Sequence, residues 1–221
     1  MALAPRVAVF DCDGTLWSGD AGEDFLYWEV GQGILSRNAA AWVIPRYKSY
    51  KQGQVGEAQM CGEMVSVHRG LMVEDLEAAA ERFFAQAVEA RIFPEMQELT
   101  SRLTAAGCQL WAVSSTNEWV VRAGVRRFGI PQENVLAACV ECRDGRVGGR
   151  IIAVPTDEAK AEVINAKLGP DAIDACFGNS IHDAAMLEMA RHAFAIEPTP
   201  ELLELAKQRA WTVYEPIKLN S

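Results

Sequence analysis

The sequence predicts an α/β fold, in which a parallel sheet is covered by helices on both faces and a small all-helical segment is inserted after the first strand. From residue 94 onwards, short apolar runs alternate with helical patterns, as strands joined by crossover helices do. Residues 16–93, in contrast, contain no convincing strand. We therefore expect an α/β core domain of residues 1–17 and 92–221 and a helical cap domain of residues 18–91.

The inserted segment is predicted to contain four helices, at residues 20–30, 38–51, 55–68 and 73–90. The last shows the apolar spacing of an amphipathic helix most clearly, through Leu76, Ala80, Phe83, Ala87 and their neighbours. Five aromatic residues of this region either line a pocket or pack between the helices: Trp17, Phe25, Tyr27, Trp28 and Trp42. A helical segment placed directly after a strand end is typical of a lid over a site.

The core is predicted to continue with strands and helices in alternation. The expected strands lie at residues 109–113, 135–140, 151–154, 172–177, 193–196 and 211–214. Five helices are expected in the core. The first begins at Pro94, the second spans residues 118–128, and the third is capped by Thr156 or Asp157 and ends at 168. The fourth ends at about residue 190, and the fifth spans residues 200–209. Asp144-Gly145 indicates a turn or hairpin between the third and fourth strands. This order predicts a Rossmann-like sheet.

Composition narrows the functional classes. A chain of 221 residues, half of them hydrophobic, can bury a substantial core, and its net charge of −9 argues against sequence-independent nucleic-acid binding. The sequence has no basic-then-apolar leader and no apolar run long enough to cross a bilayer, so we expect a cytoplasmic protein without membrane contact. The six cysteines, including the pair Cys139 and Cys142, lack a complete metal or disulfide pattern and are expected to be reduced thiols.

The most informative stretch is the first strand, Val7–Phe10, and the residues after it. The apolar run stops at Asp11, and Asp13 and Gly14 follow. Ligands of open α/β sheets bind beyond the carboxyl ends of the strands, and two crowded carboxylates favour a cation or a shared proton. One carboxylate can also act as a covalent nucleophile while its neighbour serves the leaving group. The alternative is an ordinary acidic turn.

Three predicted strands end in polar clusters, which are Asp11/Asp13, Ser114/Ser115 and Asn179/Asp183. Such a set suits phosphoryl transfer, which needs a nucleophile, a divalent cation and donors for the phosphate oxygens. In this interpretation Asp11 is the nucleophile and a Mg²⁺ ligand, and Asp13 is the general acid and base. Ser114 holds phosphate oxygens, Lys160 neutralises the acyl-phosphate, and Asp183 anchors the metal.

This constellation resembles the haloacid dehalogenase superfamily of phosphatases, whose four motifs occur here in order. They are Asp11-Cys12-Asp13-Gly14-Thr15, Ser114, Lys160 and Gly178-Asn179-Ser180-Ile181-His182-Asp183. The helical insert is similar to the superfamily's first cap type, and the chain is most similar to the phosphoserine-phosphatase-like branch. The resemblance implies that Asp11 forms an aspartyl-phosphate and that Asp13 offers its backbone carbonyl to Mg²⁺.

The resemblance also implies substrate contacts and reveals two departures. Asp20 stands where phosphoserine phosphatases have an acidic residue that contacts the substrate amine, although it can equally be a helix N-cap. Ser114 and Ser115 are further candidate substrate contacts. Asn179 replaces the usual Asp among the predicted metal ligands, which are Asp11, Asp13, Asn179 and Asp183, and so removes one negative charge. His182 replaces the usual Asn and either contacts the substrate or lies on the surface.

We therefore expect a Mg²⁺-dependent phosphatase that hydrolyses a small phosphorylated metabolite such as phosphoserine or a related compound. A phosphotransferase and a haloacid dehalogenase-type hydrolase are alternatives from the same superfamily. Asn179 motivates a third alternative, a protein that binds a phospholigand and has weakened turnover.

Overall fold

The computed structural model describes residues 5–217, and their strands form one sheet with β1 at its centre. The strands are β1 (Val7–Phe10), β2 (Gln109–Asn117), β3 (Val135–Arg143), β4 (Arg146–Ala153), β5 (Ala175–Gly178), β6 (His192–Ile196) and β7 (Thr212–Tyr214). Their order across the sheet is β4-β3-β2-β1-β5-β6-β7, and all neighbours are parallel except β3 and β4, which form the predicted hairpin. Residues 1–4 and 218–221, the outer ends of the predicted core domain, lie outside the described residues.

Helices cover both faces of this sheet. They are α1 (Ala21–Gly31), α2 (Arg37–Lys51), α3 (Glu57–Ser66), α4 (Val73–Phe83), α5 (Pro94–Ala105), α6 (Glu118–Val125), α7 (Glu158–Leu168), α8 (Ala184–Glu188) and α9 (Pro200–Arg209). Because side chains alternate along β1, Phe10 packs in the cluster with α4, α5 and α6, whereas Val9 packs with α7, α8 and α9. The predicted fold class is therefore confirmed.

The helical segment between β1 and α5 has a small core of its own, which joins α1, α2 and α3 through Leu26, Leu35, Val43, Tyr47, Val55 and Met60. Helix α4 and Phe25 of α1 belong instead to the main core cluster. The loop after α3 also pairs with the β3–β4 hairpin, where Gly70 N donates to Val147 O (2.8 Å) and Val147 N donates to Leu71 O (3.0 Å). The division into two domains stays a prediction, because part of the segment shares the core's packing.

Several predicted boundaries are wrong. The helix expected at 73–90 ends at Phe83 and continues as a π-helical turn (Phe84–Val88) and a 3₁₀ turn (Glu89–Arg91), an arrangement that buries Phe83, Phe84 and Val88 together. The strand expected at 109–113 extends to Asn117, because β3 pairs with its polar end.

The remaining differences are at the ends of elements. Both hairpin strands are longer than expected, β5 begins at Ala175, and the helix after β5 shortens to a 3₁₀ turn (Ile181–Asp183) followed by α8. Within residues 5–217, none of the helices combines the length and the apolar character that a membrane span requires.

Candidate active site

The site is built around Asp11, which directly follows the buried strand β1. Lys160, on the first turn of α7, places its Nζ 2.7 Å from Asp11 Oδ1 and 2.5 Å from Asp183 Oδ1. All three side chains are buried, and Thr15 Oγ1 donates a further hydrogen bond to Asp11 Oδ2 at 3.1 Å. The lysine therefore joins the end of β1 to the turn that follows β5.

Burial and charge set the protonation of this cluster. Burial, followed by the negative charge of Asp183, raises the pKa of Asp11 to about 7, against the lowering effect of Lys160. Burial alone would lower the pKa of Lys160, but the two carboxylates raise it above its ordinary value. Lys160 is therefore a fixed positive charge shared by two carboxylates.

Asp13 is held by three donors. Its carboxylate accepts hydrogen bonds from Trp17 Nε1 (2.7 Å) and Ala21 N (2.8 Å) through Oδ1, and from Thr116 Oγ1 (2.7 Å) through Oδ2. Burial raises the pKa of Asp13, while these hydrogen bonds oppose the rise. Neither Trp17 nor Thr116 was predicted to bind this carboxylate, and Thr116 could not be, since only the fold brings the end of β2 beside the turn after β1.

The turn after β5 is organised by Asp183. Its Oδ2 accepts hydrogen bonds from Asn179 N (2.9 Å), Ser180 N (2.9 Å) and Ser180 Oγ (3.3 Å), which leaves the Asp183 carboxylate fully engaged. The Asn179 side chain lies against Gly14, where a Cβ atom would come within 1.9 Å of Asn179 Nδ2. Gly14, with a φ of 73°, thus lets the amide approach the turn that carries Asp13.

A cavity of about 230 Å³ opens above these residues. Its floor includes Asp11, Asp13 and Asn179, and Ser114 and Ser115 line it from the end of β2. Ser114 is buried, and its Oγ accepts a hydrogen bond from Thr116 N (3.1 Å). The structure therefore brings the predicted motif residues together around one small space.

Of the two roles that the sequence left open for Asp20, the structure shows the helix N-cap, and the substrate contact stays a prediction. It is the N-cap of α1, where its Oδ1 accepts a hydrogen bond from Glu23 N (2.8 Å), and it also lines the cavity. Although Asp20 is exposed, desolvation by the protein around the cavity, followed by the charge of Asp13, raises the pKa of its carboxyl to about 7. Its position is compatible with contact to a substrate.

His182 connects the turn after β5 to the helical segment. Its Nε2 lies 2.7 Å from Glu57 Oε2 on α3, and its Nδ1 lies 2.7 Å from Asp157 Oδ1. The hydrogen bond with Glu57 is the main cause that raises the pKa of His182 to about 9. Burial would raise the pKa of Glu57, but bonds from His182 and Thr156 hold it below its ordinary value. We name this set of four residues, Glu57, Thr156, Asp157 and His182, the His182 junction.

The His182 junction corrects one prediction. Asp157 occupies the N-cap position of α7, but neither it nor Thr156 caps the helix with its side chain, because both side chains bind junction partners instead. The sequence did not predict the contacts of Glu57 with Thr156 and His182, since these partners are far apart in the chain.

The roof of the cavity, which is formed by the start of α1 and by side chains of α2 and α3, was not predicted from the sequence. Within the described residues, none of the five aromatic residues singled out in the sequence lines it: Trp17 and Phe25 are core residues, Trp28 packs against the core, and Tyr27 and Trp42 are exposed. Tyr47 and Tyr50 of α2 line it instead, with Met60 and Met64 of α3. The six cysteines are free thiols, as expected.

Fold and site together define an α/β enzyme with a buried acidic centre at the carboxyl edge of its sheet. The chain belongs to the family of haloacid dehalogenase-like hydrolases, which it matches over residues 8–188.

Three further proteins are similar over most of the chain. A histidinol-phosphatase from Neisseria meningitidis serogroup C is 26% identical over 94% of this chain and 97% of its own length. Phosphoserine phosphatase SerB1 from Mycobacterium tuberculosis is 23% identical over 93% of this chain and 69% of its own. A crystal structure of a protein of unknown function from Bordetella pertussis superposes with a TM-score of 0.81 at 26% identity, covering 95% of this chain and 97% of that one. These findings confirm the resemblance and the predicted enzyme class, a phosphatase-type hydrolase.

Proposed function

We propose that the protein is a Mg²⁺-dependent phosphatase that hydrolyses a small phosphomonoester through an aspartyl-phosphate on Asp11. The observation that carries the proposal is the buried contact of Lys160 with both Asp11 and Asp183. Asp13, two residues after Asp11, is held separately by its own hydrogen bonds. The names of the relatives support the proposal, since phosphoserine and histidinol phosphate are both small phosphomonoesters.

The reaction divides into two steps that balance. A carboxylate oxygen of Asp11 attacks phosphorus, the bond from phosphorus to the alcohol oxygen breaks, and Asp13 gives the leaving alcohol its proton. Asp13 then takes a proton from water, whose oxygen attacks the same phosphorus. The bond from Asp11 to phosphorus breaks, and inorganic phosphate leaves. Burial raises the pKa of Asp13, and a carboxyl that is more easily protonated than a free aspartate suits a group that gives and takes a proton.

The donors around Asp11 fit Mg²⁺ by charge and by chemistry. Asp11, Asp13 and Asp183 bring three carboxylates to a place where Lys160 supplies one positive charge. Residues 5–217 hold no cluster of three His, Cys, Asp or Glu side chains arranged for a metal. We therefore assign the site to mixed oxygen donors, which are the Asp11 carboxylate, the Asp13 carbonyl and the Asn179 amide, with Asp183 orienting the turn. Bound there, Mg²⁺ would neutralise charge on the transferring phosphoryl group.

The other predicted residues take roles around the phosphate and the leaving group. Ser114 and Ser115 line the cavity beside Asp11 and are suited to donate to phosphate oxygens. Asp20 lies further out and is suited to contact the alcohol. His182 lines the cavity too, but both its ring nitrogens bind carboxylates, so we propose that it positions the roof and does not bind the substrate directly.

Phosphate release from p-nitrophenyl phosphate and small metabolite esters, with Mg²⁺ titrated from zero, tests this function. We expect Mg²⁺-stimulated release that Asp11→Asn abolishes, since the amide is a poor nucleophile. Glu162→Gln, on the same helix as Lys160 but outside the cavity, is the matched control and should retain activity. Full activity of Asp11→Asn would contradict the proposal.

Asn179 favours a second candidate, a protein that binds a phospholigand with little turnover. An amide in the proposed metal set lacks the charge of a carboxylate, and Mg²⁺ prefers carboxylates. This candidate predicts binding without release of phosphate, together with activity gained in Asn179→Asp. Turnover by the unaltered chain at millimolar Mg²⁺ would exclude it.

A further inference from the structure

The two oxygens of the Asp13 carboxylate have different neighbours. Oδ1 accepts hydrogen bonds from Trp17 Nε1 (2.7 Å) and Ala21 N (2.8 Å), which fill its two lone-pair sites. From the residues that the structure describes, Oδ2 accepts one hydrogen bond, from Thr116 Oγ1 at 2.7 Å, and this leaves one lone-pair site for a proton. The proton that Asp13 exchanges with the leaving alcohol is therefore expected on Oδ2.

A bulge at the end of β2 carries Thr116 to this oxygen. The register of β2 on β3 shifts between Ser114 and Asn117, so that Ser115 and Thr116 form the bulge. Bulges commonly re-aim side chains beside active sites. Thr116 is 9% exposed and lines the cavity, and its N–H donates to Ser114 Oγ at 3.1 Å. One residue therefore holds Ser114 through its backbone and Asp13 through its side chain.

The start of α1 packs against the same hydroxyl. A Cβ atom on Gly22 would lie 2.7 Å from Thr116 Oγ1 and 3.5 Å from Thr116 Cγ2, so the helix approaches this closely because Gly22 has no side chain. The preceding residue, Ala21, donates its N–H to Asp13 Oδ1. The start of α1 and the end of β2 therefore each hold one oxygen of the Asp13 carboxylate.

Resting on the proposed phosphatase function, we propose that Thr116 is a positioning residue, which aims Asp13 Oδ2 at the oxygen of the leaving alcohol. As Asp11 forms its bond to phosphorus and the bond from phosphorus to the alcohol oxygen breaks, the proton moves from Asp13 Oδ2 to that oxygen. Thr116 keeps its own proton throughout and acts through Asp13.

A positioning role makes the effect of Thr116 depend on the leaving group. An alkoxide is strongly basic and leaves with a proton, whereas p-nitrophenolate is a stable anion that needs none. Misplacing the Asp13 proton should therefore slow the cleavage of an alkyl phosphate much more than the cleavage of p-nitrophenyl phosphate. A hydroxyl that only stabilised the fold would affect both esters alike.

Benzyl phosphate and p-nitrophenyl phosphate test the proposal, because they are similar in size and differ in how much their leaving groups need a proton. The full chain with Mg²⁺ is assayed for kcat/KM, so that hydrolysis of the phosphorylated enzyme does not mask the first step. In Thr116→Val, which keeps the branched shape, the ratio of kcat/KM for benzyl over p-nitrophenyl phosphate should fall by at least about tenfold, part of the usual effect of a general acid. Thr116→Ser, which keeps a hydroxyl, should restore most of the ratio.

Thr100→Val is the matched control for the loss of a hydroxyl. Thr100 of α5 is a fully buried threonine outside the cavity, so its replacement should leave the ratio unchanged. An unchanged ratio in Thr116→Val, whether both esters slow alike or neither slows, overturns the proposal.

Gly22→Ala reaches the Thr116 hydroxyl without removing it. The added methyl group must displace Thr116 Oγ1, so the ratio should fall in the same direction as in Thr116→Val. Gly31→Ala, at the other end of α1, adds a methyl group to open space and should leave the ratio unchanged. An unchanged ratio in Gly22→Ala overturns the part that α1 takes in holding this hydroxyl.

The same assays separate this proposal from the proposed function. If the unaltered chain hydrolyses both esters and Thr116→Val keeps their ratio, the positioning role alone is overturned. If the unaltered chain releases phosphate from neither ester and from none of the small metabolite esters, the phosphatase function is overturned as well.

Discussion

Among residues 5–217, most buried polar side chains are hydrogen-bonded, and the few that are not are informative. Asp11 and Asp183 share Lys160, and Asp13 has three donors, so the groups that we propose to react are held in place by the protein's own hydrogen bonds. Tyr47 lines the cavity, and its hydroxyl is one of the exceptions. Hydrogen bonds therefore order the floor of the cavity, whereas a buried hydroxyl beside the cavity has no partner of normal geometry among residues 5–217.

Replacing Tyr47 with Phe tests the unpaired hydroxyl through stability. Without a substrate, the Tyr47→Phe variant should be more stable by about 1 kcal/mol, because it no longer buries a hydroxyl that lacks a partner. For a chain of this size that is a rise in Tm of about 2–4 °C, measurable by differential scanning fluorimetry. Tyr214→Phe, at an exposed tyrosine, should not change the Tm. A lower Tm for Tyr47→Phe would show that the protein itself satisfies the hydroxyl.

A second buried pair lies outside the site and was not assigned a role from the sequence. His68 Nε2 lies 2.7 Å from Glu29 Oε2, and both side chains are 1% exposed. His68 Nδ1 lies 3.2 Å from Val65 O, so the ring connects α1 to the end of α3. Burial raises the pKa of Glu29, and the interaction with His68 opposes that rise. Each of the two buried side chains therefore has the other as its polar partner.

Replacing one partner of this pair should lower the free energy of unfolding more than replacing both partners. Glu29→Leu leaves the imidazole without its partner and should destabilise the protein by about 3 kcal/mol, whereas Glu29→Leu with His68→Leu should recover part of the loss. Urea unfolding followed by circular dichroism measures both free energies. A double variant at least as unstable as the single one would contradict this account, because it would show that the side chains do not act as a pair.

At the scale of elements, close packing joins α6 to the π-helical turn after α4 and to the loop after β1. Gly124 of α6 faces the rings of Phe84 and Trp17, and a Cβ atom there would come within 2.5 Å of Phe84 Cε2 and 2.7 Å of Trp17 Cη2. Trp17 also donates to Asp13, so the same contact supports the site. Trp17 therefore contacts both Gly124 of α6 and the Asp13 carboxylate.

Gly124→Ala should consequently destabilise the protein by about 1–3 kcal/mol, the usual cost of overpacking. It should also lower kcat, because a displaced Trp17 no longer orients Asp13. Gly31→Ala is the matched control: a Cβ atom there meets nothing within 4 Å, and the variant should be neutral or slightly stabilising. Chemical denaturation and phosphatase assays measure both variants. Equal stability of Gly124→Ala and the unaltered chain would contradict the packing account.

Local patterns in the sequence predicted most elements, and contacts between distant residues account for what it missed. The ends of β1 and α9 were predicted correctly. An apolar run of four residues marks β1, and Thr199 as N-cap followed by Pro200 marks the start of α9, so neighbouring residues alone are enough. The π turn after Phe83 depends on packing against other elements and left no local signal. The motif residues around Asp11 were brought together as expected, since parallel strands place their carboxyl ends at one edge. Tyr47 and Glu57 were missed because the arrangement of the helices, and not their spacing, places them in the roof.

At the scale of the whole molecule, the His182 junction ties the helical segment to the core. Glu57 belongs to α3, whereas Thr156, Asp157 and His182 belong to the core side of the cavity. The loop after α3 adds backbone pairing with the β3–β4 hairpin. The junction and these backbone hydrogen bonds therefore add polar contacts to the packing that the helical segment shares with the main core.

The ionic contact makes stability depend on pH in a definite direction. The folded-state pKa of His182 is raised from 6.5 to about 9, so its contribution is complete below 6.5 and is lost as the pH rises through about 9. The pKa of Glu57 is lowered, so its contribution is present above 4.5 and is lost as the pH falls. Because His182 is 38% exposed, solvent screening limits the whole contribution to at most about 1 kcal/mol.

His182→Asn should therefore have a lower Tm than the unaltered chain between about pH 5 and 7, by at most about 2–4 °C, and the difference should disappear above about pH 10. His192→Asn, at an exposed histidine, is the control and should show no such trend. Thermal unfolding at matched ionic strength measures both variants. A difference for His182→Asn that grows with rising pH would contradict the junction.

The central claim is that Asp11 carries the phosphoryl group during turnover. Acid quenching of the enzyme during hydrolysis of its best ester, followed by digestion and mass spectrometry, tests it most directly. The account predicts a phosphorylated peptide that contains Asp11, present in the unaltered chain and in Glu162→Gln and missing from Asp11→Asn. Rapid release of phosphate with no phosphate on that peptide at any quench time, or with phosphate on another residue, would contradict it.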